Sequence, residues 1–373
     1  KALEKPEVRF FGHVEIGRDL DLEDLRQAYD AVVIAIGAPE DRPLGVPGDD
    51  LPGVLGSGAF TRWYNDHPDA ADRASELGAL LGEARRAVVI GNGNVAVDVT
   101  RMLAKQSDEM QESDLSPDVT GHLHHAPIEE ILMVGRRDAQ QVKFTPAEIR
   151  ELGELSGAAV KVDPADVPLA AEDTPHSQAY QVLKDLADAP REAPVSIRLA
   201  FCLQPEEVLA GDDGRVRAMR FRKTRMEGET AVATDETLDI PCDIVIPCIG
   251  YTTRACGDLP IEHGRLRNDD GKVADGLYVV GWAKRGPSGT IGTNRSEAHG
   301  IADRIMAEHP PAGRPGRQAV EARLGEAGAR VVDWQGWVRI DAAETGRADS
   351  GRVRRKFTAI GEMLDAAEAD GER

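Results

Sequence analysis

The sequence predicts an α/β protein of two packed domains built on parallel sheets, and three observations carry that expectation. Its 373 residues are too many for one ordinary core and suit two. Three segments, 29–38, 86–91 and 131–135, are nearly continuous apolar runs that end in small residues. Strands of that kind belong to parallel sheets covered on both faces, because each of their faces must be buried. Finally, strand-like and helix-like segments alternate along much of the chain, which is the pattern of an α/β architecture.

The elements follow in order. Residues 8–16 read as a strand, and the run 29–38 as a second. Residues 39–58 are rich in proline and glycine and read as a connector. A strand at 86–91 leads into a helix over 94–105, and the polar stretch 106–127 reads as helix end and loop. The strand at 131–135 is followed by a helix that Pro146 opens and that runs through Leu152. Further strands are expected at 195–202, 215–225, 243–250 and 277–281, and a helix at 296–307. Residues 310–317 are breakers, and the charged tail from Val320 is helical, anchored by Trp334 and Trp337.

Composition narrows the function classes. Hydrophobic residues make up 41% and charged residues 29%, the balance of a globular protein, and no apolar run is long enough to cross a bilayer. Residues 1–10 carry no secretory signal, which points to the cytoplasm. A net charge of -20 argues against general nucleic-acid binding but leaves room for a local basic pocket. The four cysteines, Cys202, Cys242, Cys248 and Cys256, form no pair at the spacing of a zinc or cluster site. Any electron transfer must therefore use another bound cofactor. His122, His124 and His125 sit in a polar stretch without the partners a metal needs, and no metal site is expected.

The sharpest local signal is Gly91-Asn92-Gly93-Asn94-Val95-Ala96, placed between a strand and a helix. Gly91 permits a tight turn, and Gly93 removes a side chain where backbone must approach a pyrophosphate. Ala96 is small enough for helix to pack on strand. The helix start then offers unpaired N–H groups to phosphate. A second signal is Arg136-Arg137 at the end of the next parallel strand. An acid there would take the ribose hydroxyl of NAD, whereas arginines accommodate the 2′-phosphate of NADP with planar, fixed donors. The plain alternative is a solvated Arg-Arg turn.

The run Tyr278-Val279-Val280-Gly281-Trp282-Ala283-Lys284-Arg285-Gly286-Pro287-Ser288-Gly289-Thr290-Ile291-Gly292-Thr293-Asn294 resembles the flavin-contacting motif of the adrenodoxin-reductase family of FAD-dependent, NADP-linked ferredoxin reductases. The resemblance spans nearly the whole chain. It implies that Val14, in Phe10-Phe11-Gly12-His13-Val14, meets the FAD adenine through its backbone. It implies that Asn92, Gly93, Asn94 and Val95 form the NADP pyrophosphate turn, and that Arg136 and Arg137 hold the 2′-phosphate. Glu148, which follows Gln141-Val142-Lys143-Phe144-Thr145, brings a carboxylate toward the nicotinamide and is the one catalytic candidate. Trp282 and the backbone of Gly289, Thr290 and Ile291 contact the isoalloxazine ring. Lys143 departs from the small residues usual at its place.

The fold implied is two Rossmann-like dinucleotide domains. The FAD domain is discontinuous, at about 1–41 and 252–373, and the NADP domain is inserted at about 42–251. The family's first glycine fingerprint, its acidic ribose ligand and its flavin-side histidine do not precede Val8, so the N-terminal flavin unit is expected to be missing. The implied activity is hydride transfer between NADPH and FAD coupled to one-electron transfer to a ferredoxin. Two rivals are an NADPH-oxidising subunit of the glutamate-synthase kind and a nucleotide-binding remnant without catalysis. For an acidic ferredoxin, two basic clusters are candidate docking sites: Lys284-Arg285 and the strand Arg220–Arg225, with Arg220, Arg222 and Thr224 expected on one face.

Overall fold

The computed structural model describes residues 3–111, 113–167, 177–289 and 291–369. The chain divides into two compact units. One comprises the residues up to Asp41, Gly250–Arg347 and those from Ala359 onward; the other comprises Arg42–Ile249 and Ala348–Thr358. Among the described residues, no helix is long and apolar enough to cross a membrane.

The larger unit is built on a five-stranded sheet in which every pair is parallel. Its spatial order is Ile244–Pro247, Arg86–Ile90, Glu130–Val134, Val195–Ala200, Ala158–Val162. Successive side chains of a strand point to opposite faces, and here both faces are covered. Ala87, Val89, Ile131 and Met133 join one core with Val97 of helix Asn94–Ala104, Ile149 of helix Pro146–Glu154 and Leu183 of helix Ser177–Asp188. Val88, Ile90, Leu132 and Val134 join another, with Met219, Phe221, Val208 and Leu203. Those last four come from an antiparallel sheet of Leu203–Ala210, Val216–Glu227 and Thr230–Pro241. Hence the apolar runs 86–91 and 131–135 are continuous: helices cover one face and a second sheet the other.

In the smaller unit Val32–Ile34 pairs parallel with Leu277–Val279, which pairs antiparallel with Lys272–Ala274. Helix Leu22–Ala28 packs on helix Arg317–Glu326 through Leu20, Ala28, Val320 and Leu324. Trp334 and Trp337 stack at 4.7 Å between ring centroids, and Phe10 meets Trp334 edge-on at 6.3 Å. Helix Ile291–Glu308 is exposed over most of its length, with Ile301 its buried contact.

Several expectations change. The segment 8–16 is not a strand; it makes only isolated bridges, Gly12 to Val332 and Ile16 to Leu20. The run 29–38 contributes only Val32–Ile34 as strand. The polar stretch 106–127 is not mainly loop. It holds helix Pro117–His125, started by the Ser116 hydroxyl accepting from the Val119 N–H at 3.2 Å and by Pro117 in the first turn. Val119 and Leu123, one turn apart, are its buried face. The three histidines lie on this helix. His125 Nδ1 is 2.7 Å from the Gly121 carbonyl oxygen, His124 contacts the Ser107 hydroxyl, and the His122 ring lies against Gly78.

A charged network closes the smaller unit's sheet. Glu308 accepts from Lys272 Nζ, Arg304 Nε and the Tyr278 hydroxyl, each at 2.7 Å, and His309 Nε2 lies 2.8 Å from that hydroxyl. The bonds from Lys272, Arg304 and Tyr278 pull the Glu308 carboxyl down to about 2. Burial, reinforced by the bond to Glu308, pushes Tyr278 up to about 12. A depressed carboxyl stabilises the fold above its ordinary pKa and loses that contribution as pH falls toward the depressed value. The difference in melting temperature between wild type and Glu308→Gln should therefore hold between pH 4.5 and the ordinary tyrosine value of 10.0, and shrink as pH falls toward about 2. A pH-independent difference in thermal denaturation would contradict this.

Candidate functional site

The larger unit presents its site where strands Arg86–Ile90 and Glu130–Val134 end side by side. Ile90 is in register with Val134, and the Gly91 N–H donates to the Val134 carbonyl at 2.8 Å. Gly91 turns sharply at φ 145°, and a β-carbon there would lie 2.5 Å from the Cys248 carbonyl oxygen. Only glycine fits. At Gly93, by contrast, a β-carbon would meet nothing closer than Lys143 Cβ at 3.9 Å. Space is kept open beside the start of helix Asn94–Ala104. No acceptor within the described residues takes the N–H groups of Gly93, Asn94 or Val95. Donors left free at a helix start, next to open space, suit an anion.

The turn is bolted in place. The Asn92 carbonyl accepts from the N–H groups of Lys143 at 2.7 Å and Phe144 at 3.1 Å. Asn94 Oδ1 accepts from the Thr145 N–H at 2.8 Å. The Asn92 side chain lies over Gly135, where a β-carbon would fall 1.9 Å from its Nδ2, and its Oδ1 is buried without a hydrogen-bond partner. Thr145 caps helix Pro146–Glu154 by accepting from the Glu148 N–H at 3.5 Å, which holds the half-buried Glu148 in the first turn.

Two residues beyond Val134, Arg136 is exposed and Arg137 half-buried. Among the described residues neither guanidinium meets a carboxylate, in a chain of net charge -20. Their backbone is tied down. The Gly135 carbonyl accepts from the Leu203 N–H at 3.1 Å, the Arg137 carbonyl from the Cys202 N–H at 3.1 Å, and the Arg136 carbonyl from the Thr224 hydroxyl at 2.7 Å. The sequence reading missed Thr224 and Cys202 in this place. Thr224 is buried while Arg220 and Arg222 are half-buried, and its pairing with strand Thr230–Pro241 is irregular, because the register shifts between Arg222 and Thr224 through extra residues on the partner strand.

The two basic clusters are neutralised. Arg220 is bound by Asp239 at 2.7 and 2.9 Å and by Glu207 at 2.8 Å, Arg222 by Glu206, and Lys223 by Glu236 at 2.7 Å. Lys284 meets Asp270 at 2.8 Å and Glu297 at 3.4 Å, and Arg285 meets Glu297 at 2.6 Å. These cations hold strands and a loop together, so the expectation of free positive docking clusters is withdrawn.

In the smaller unit, Gly281 takes φ 67° and its N–H donates to Glu297 at 2.6 Å. The Trp282 indole N–H donates to the Ser288 carbonyl at 3.1 Å, and its ring stacks on Tyr251 at 6.4 Å and 11°. Gly289 has φ 82° and Ile291 is 88% exposed; Thr290 lies outside the described residues. Val14 is half-buried against the Leu20–Val320 cluster. The structure thus brings Asn92 to Val95, Arg136, Arg137 and Glu148 together in one unit and gathers Trp282, Gly289 and Ile291 in the other. Gly91→Ala should lower the unfolding free energy by about 1–3 kcal/mol or more, from strain at positive φ with a backbone clash added. Urea denaturation checks this, and an unchanged midpoint would contradict it.

Comparison with known proteins identifies the family. Residues 8–154 match the family model described as pyridine nucleotide-disulphide oxidoreductase. NADPH:adrenodoxin oxidoreductase of Homo sapiens is 35% identical over 95% of this chain and 77% of its own length. NADPH-ferredoxin reductase FprA of Mycobacterium leprae is 34% identical over 98% of this chain and 83% of its length. The structure of Mycobacterium tuberculosis FprA in complex with NADPH matches with a TM-score of 0.90 and 31% identity, over 98% of this chain and 85% of that one. With this identity across nearly all of its length, the chain belongs to the adrenodoxin reductase and NADPH-ferredoxin reductase family.

Proposed function

We propose that this protein is a ferredoxin–NADP reductase, passing electrons between NADPH and a ferredoxin through FAD. The observation that carries the coenzyme reading is the pair Arg136 and Arg137, without carboxylate partners among the described residues, emerging beside the glycine turn on the neighbouring parallel strand. A dinucleotide binds at such carboxyl ends, with its pyrophosphate at the helix start and its ribose toward the next strand. Open space at Gly93 and the free N–H groups of Gly93, Asn94 and Val95 fit the pyrophosphate. Two arginines at the ribose fit a 2′-phosphate, so NADP is favoured over NAD.

Glu148 has its place in the first turn of a helix capped by Thr145, on the segment that also clamps Asn92. We assign it to the nicotinamide end, where its carboxylate orients the carboxamide or holds a proton. Trp282, Gly289, Thr290, Ile291 and Val14 are assigned to FAD. The fit rests on the Trp282 ring, pinned by its indole N–H and by Tyr251, and on the exposed start of helix Ile291–Glu308. FAD, when bound, supplies conversion between two-electron and one-electron transfer. The chain's residues bind and orient the coenzymes.

The NADP-binding domain is assigned to about 42–251 and the FAD domain to about 1–41 and 252–373; the two compact units support these bounds, although Ala348–Thr358 pack with the larger one. The relatives' names favour a ferredoxin over the glutamate-synthase rival as partner. A cytoplasmic setting belongs to the same proposal, supported by four free thiols.

Replacing both Arg136 and Arg137 by neutral residues should weaken NADPH binding by roughly 2–5 kcal/mol, since charge-assisted hydrogen bonds are worth about 1.5–3 each. NADH binding should barely change. Calorimetric titration of both coenzymes decides the matter: equal loss for the two would refute the 2′-phosphate role.

A further inference from the structure

We propose that Thr224 is a positioning residue that sets the preference for a 2′-phosphorylated coenzyme, acting through the backbone of Arg136 and Arg137; this rests on the coenzyme reading above. Among the described residues Thr224 makes no hydrogen bond to either guanidinium. It lies on strand Val216–Glu227, in the antiparallel sheet, is 7% exposed, and sits where the pairing with strand Thr230–Pro241 shifts register. Its hydroxyl donates to the Arg136 carbonyl at 2.7 Å, and its N–H donates to the Cys202 carbonyl at 2.8 Å. Cys202 in turn donates its own N–H to the Arg137 carbonyl at 3.1 Å. One threonine thus reaches both arginines, the first directly and the second through one residue.

The bend that permits this is visible in the backbone. Cys202 has φ 55°, a left-handed conformation uncommon for a residue with a side chain. In that bend its N–H meets Arg137 while its carbonyl meets Thr224. Leu203 adds a third strap, to the Gly135 carbonyl at 3.1 Å. Consecutive carbonyls of the Gly135-Arg136-Arg137 turn are thus each held from the antiparallel sheet or from the residue that leads into it.

The consequence concerns pre-organisation. A bidentate grip on phosphate requires both guanidinium groups at one place in defined orientations. Arginine side chains are long and lose rotamer freedom on binding. A backbone already ordered before the ligand arrives removes part of that cost. Ligands lacking the 2′-phosphate do not use the arginine pair and gain nothing from the strap. The strap should therefore show up in discrimination and not in general affinity.

The test uses the full 373-residue chain and two probes, 2′,5′-ADP and 5′-ADP, in calorimetric titrations. Thr224→Val keeps the branched shape and removes the donor. Its preference for 2′,5′-ADP over 5′-ADP should fall about five-fold, the effect of one neutral hydrogen bond, with 5′-ADP affinity unchanged. Thr224→Ser, which restores the hydroxyl, should recover the wild-type preference. If Thr224→Val does not fold, Thr224→Ala carries the same comparison. An unchanged preference, or equal weakening of both probes, would overturn the proposal and leave Thr224 a structural residue. The double variant Arg136→Ala/Arg137→Ala separates the two levels: if it retains the preference, the coenzyme reading fails; if it loses the preference while Thr224→Val keeps it, only the positioning role fails.

Discussion

A single main-chain oxygen, the Cys248 carbonyl, constrains the site of the larger unit. It leaves no room for a β-carbon at Gly91, and so requires the chain leaving strand Arg86–Ile90 to turn as only glycine can. The turn opens the start of helix Asn94–Ala104 with donors unspent. The same turn exposes the Asn92 carbonyl to Lys143 and Phe144, and Asn94 to Thr145. Glycine turn, clamp and the helix bearing Glu148 are thereby one mechanical piece. Their common origin is the close parallel packing of Ile244–Pro247 against Arg86–Ile90.

The second face of the sheet has a separate role. Its antiparallel cover buries Phe221 and Met219 against Val88, Ile90, Leu132 and Val134, which is ordinary core packing. The same strand then supplies Thr224, its neighbour Leu203–Ala210 supplies Leu203, and the residue leading into that neighbour supplies Cys202, to the turn that carries the arginines. Carbonyls at the end of a buried strand need donors, since leaving them unpaired costs free energy comparable to a lost hydrogen bond. Meeting that requirement largely from a neighbouring sheet couples core packing to the placement of the two arginines.

Much of this was legible in the sequence. The continuous apolar runs at 86–91 and 131–135 and the tight turn at Gly91 each reflect a local physical requirement and lie where it acts, and the paired arginines stand just beyond the end of the second run. What escaped was decided at a distance. The run 8–16 alternates like a strand yet finds a partner only at Gly12 and Ile16. The strands 203–210 and 230–241 are polar because one of their faces is exposed, and they are strands because they flank Val216–Glu227. The Arg220 cluster looked basic because Glu207 and Asp239, its partners, lie 13 and 19 residues away along the chain. Helix Pro117–His125 could have been found, since Ser116-Pro117 with Val119 and Leu123 carries both a cap and a buried stripe.

The internal pairing of so many cations shapes how a ligand arrives. With Arg220, Arg222, Lys223, Lys284 and Arg285 bound to carboxylates, their short-range fields are largely cancelled, and the chain's net charge of -20 governs the field farther out. An anionic ligand approaching Arg136 and Arg137 moves against that repulsion and feels the two arginines only within roughly a Debye length, about 8 Å at physiological ionic strength. Added salt lowers the outer barrier and speeds encounter. It also loosens the grip once contact is made, and so speeds departure. Association and dissociation then quicken together, and the equilibrium constant changes less with ionic strength than either rate does.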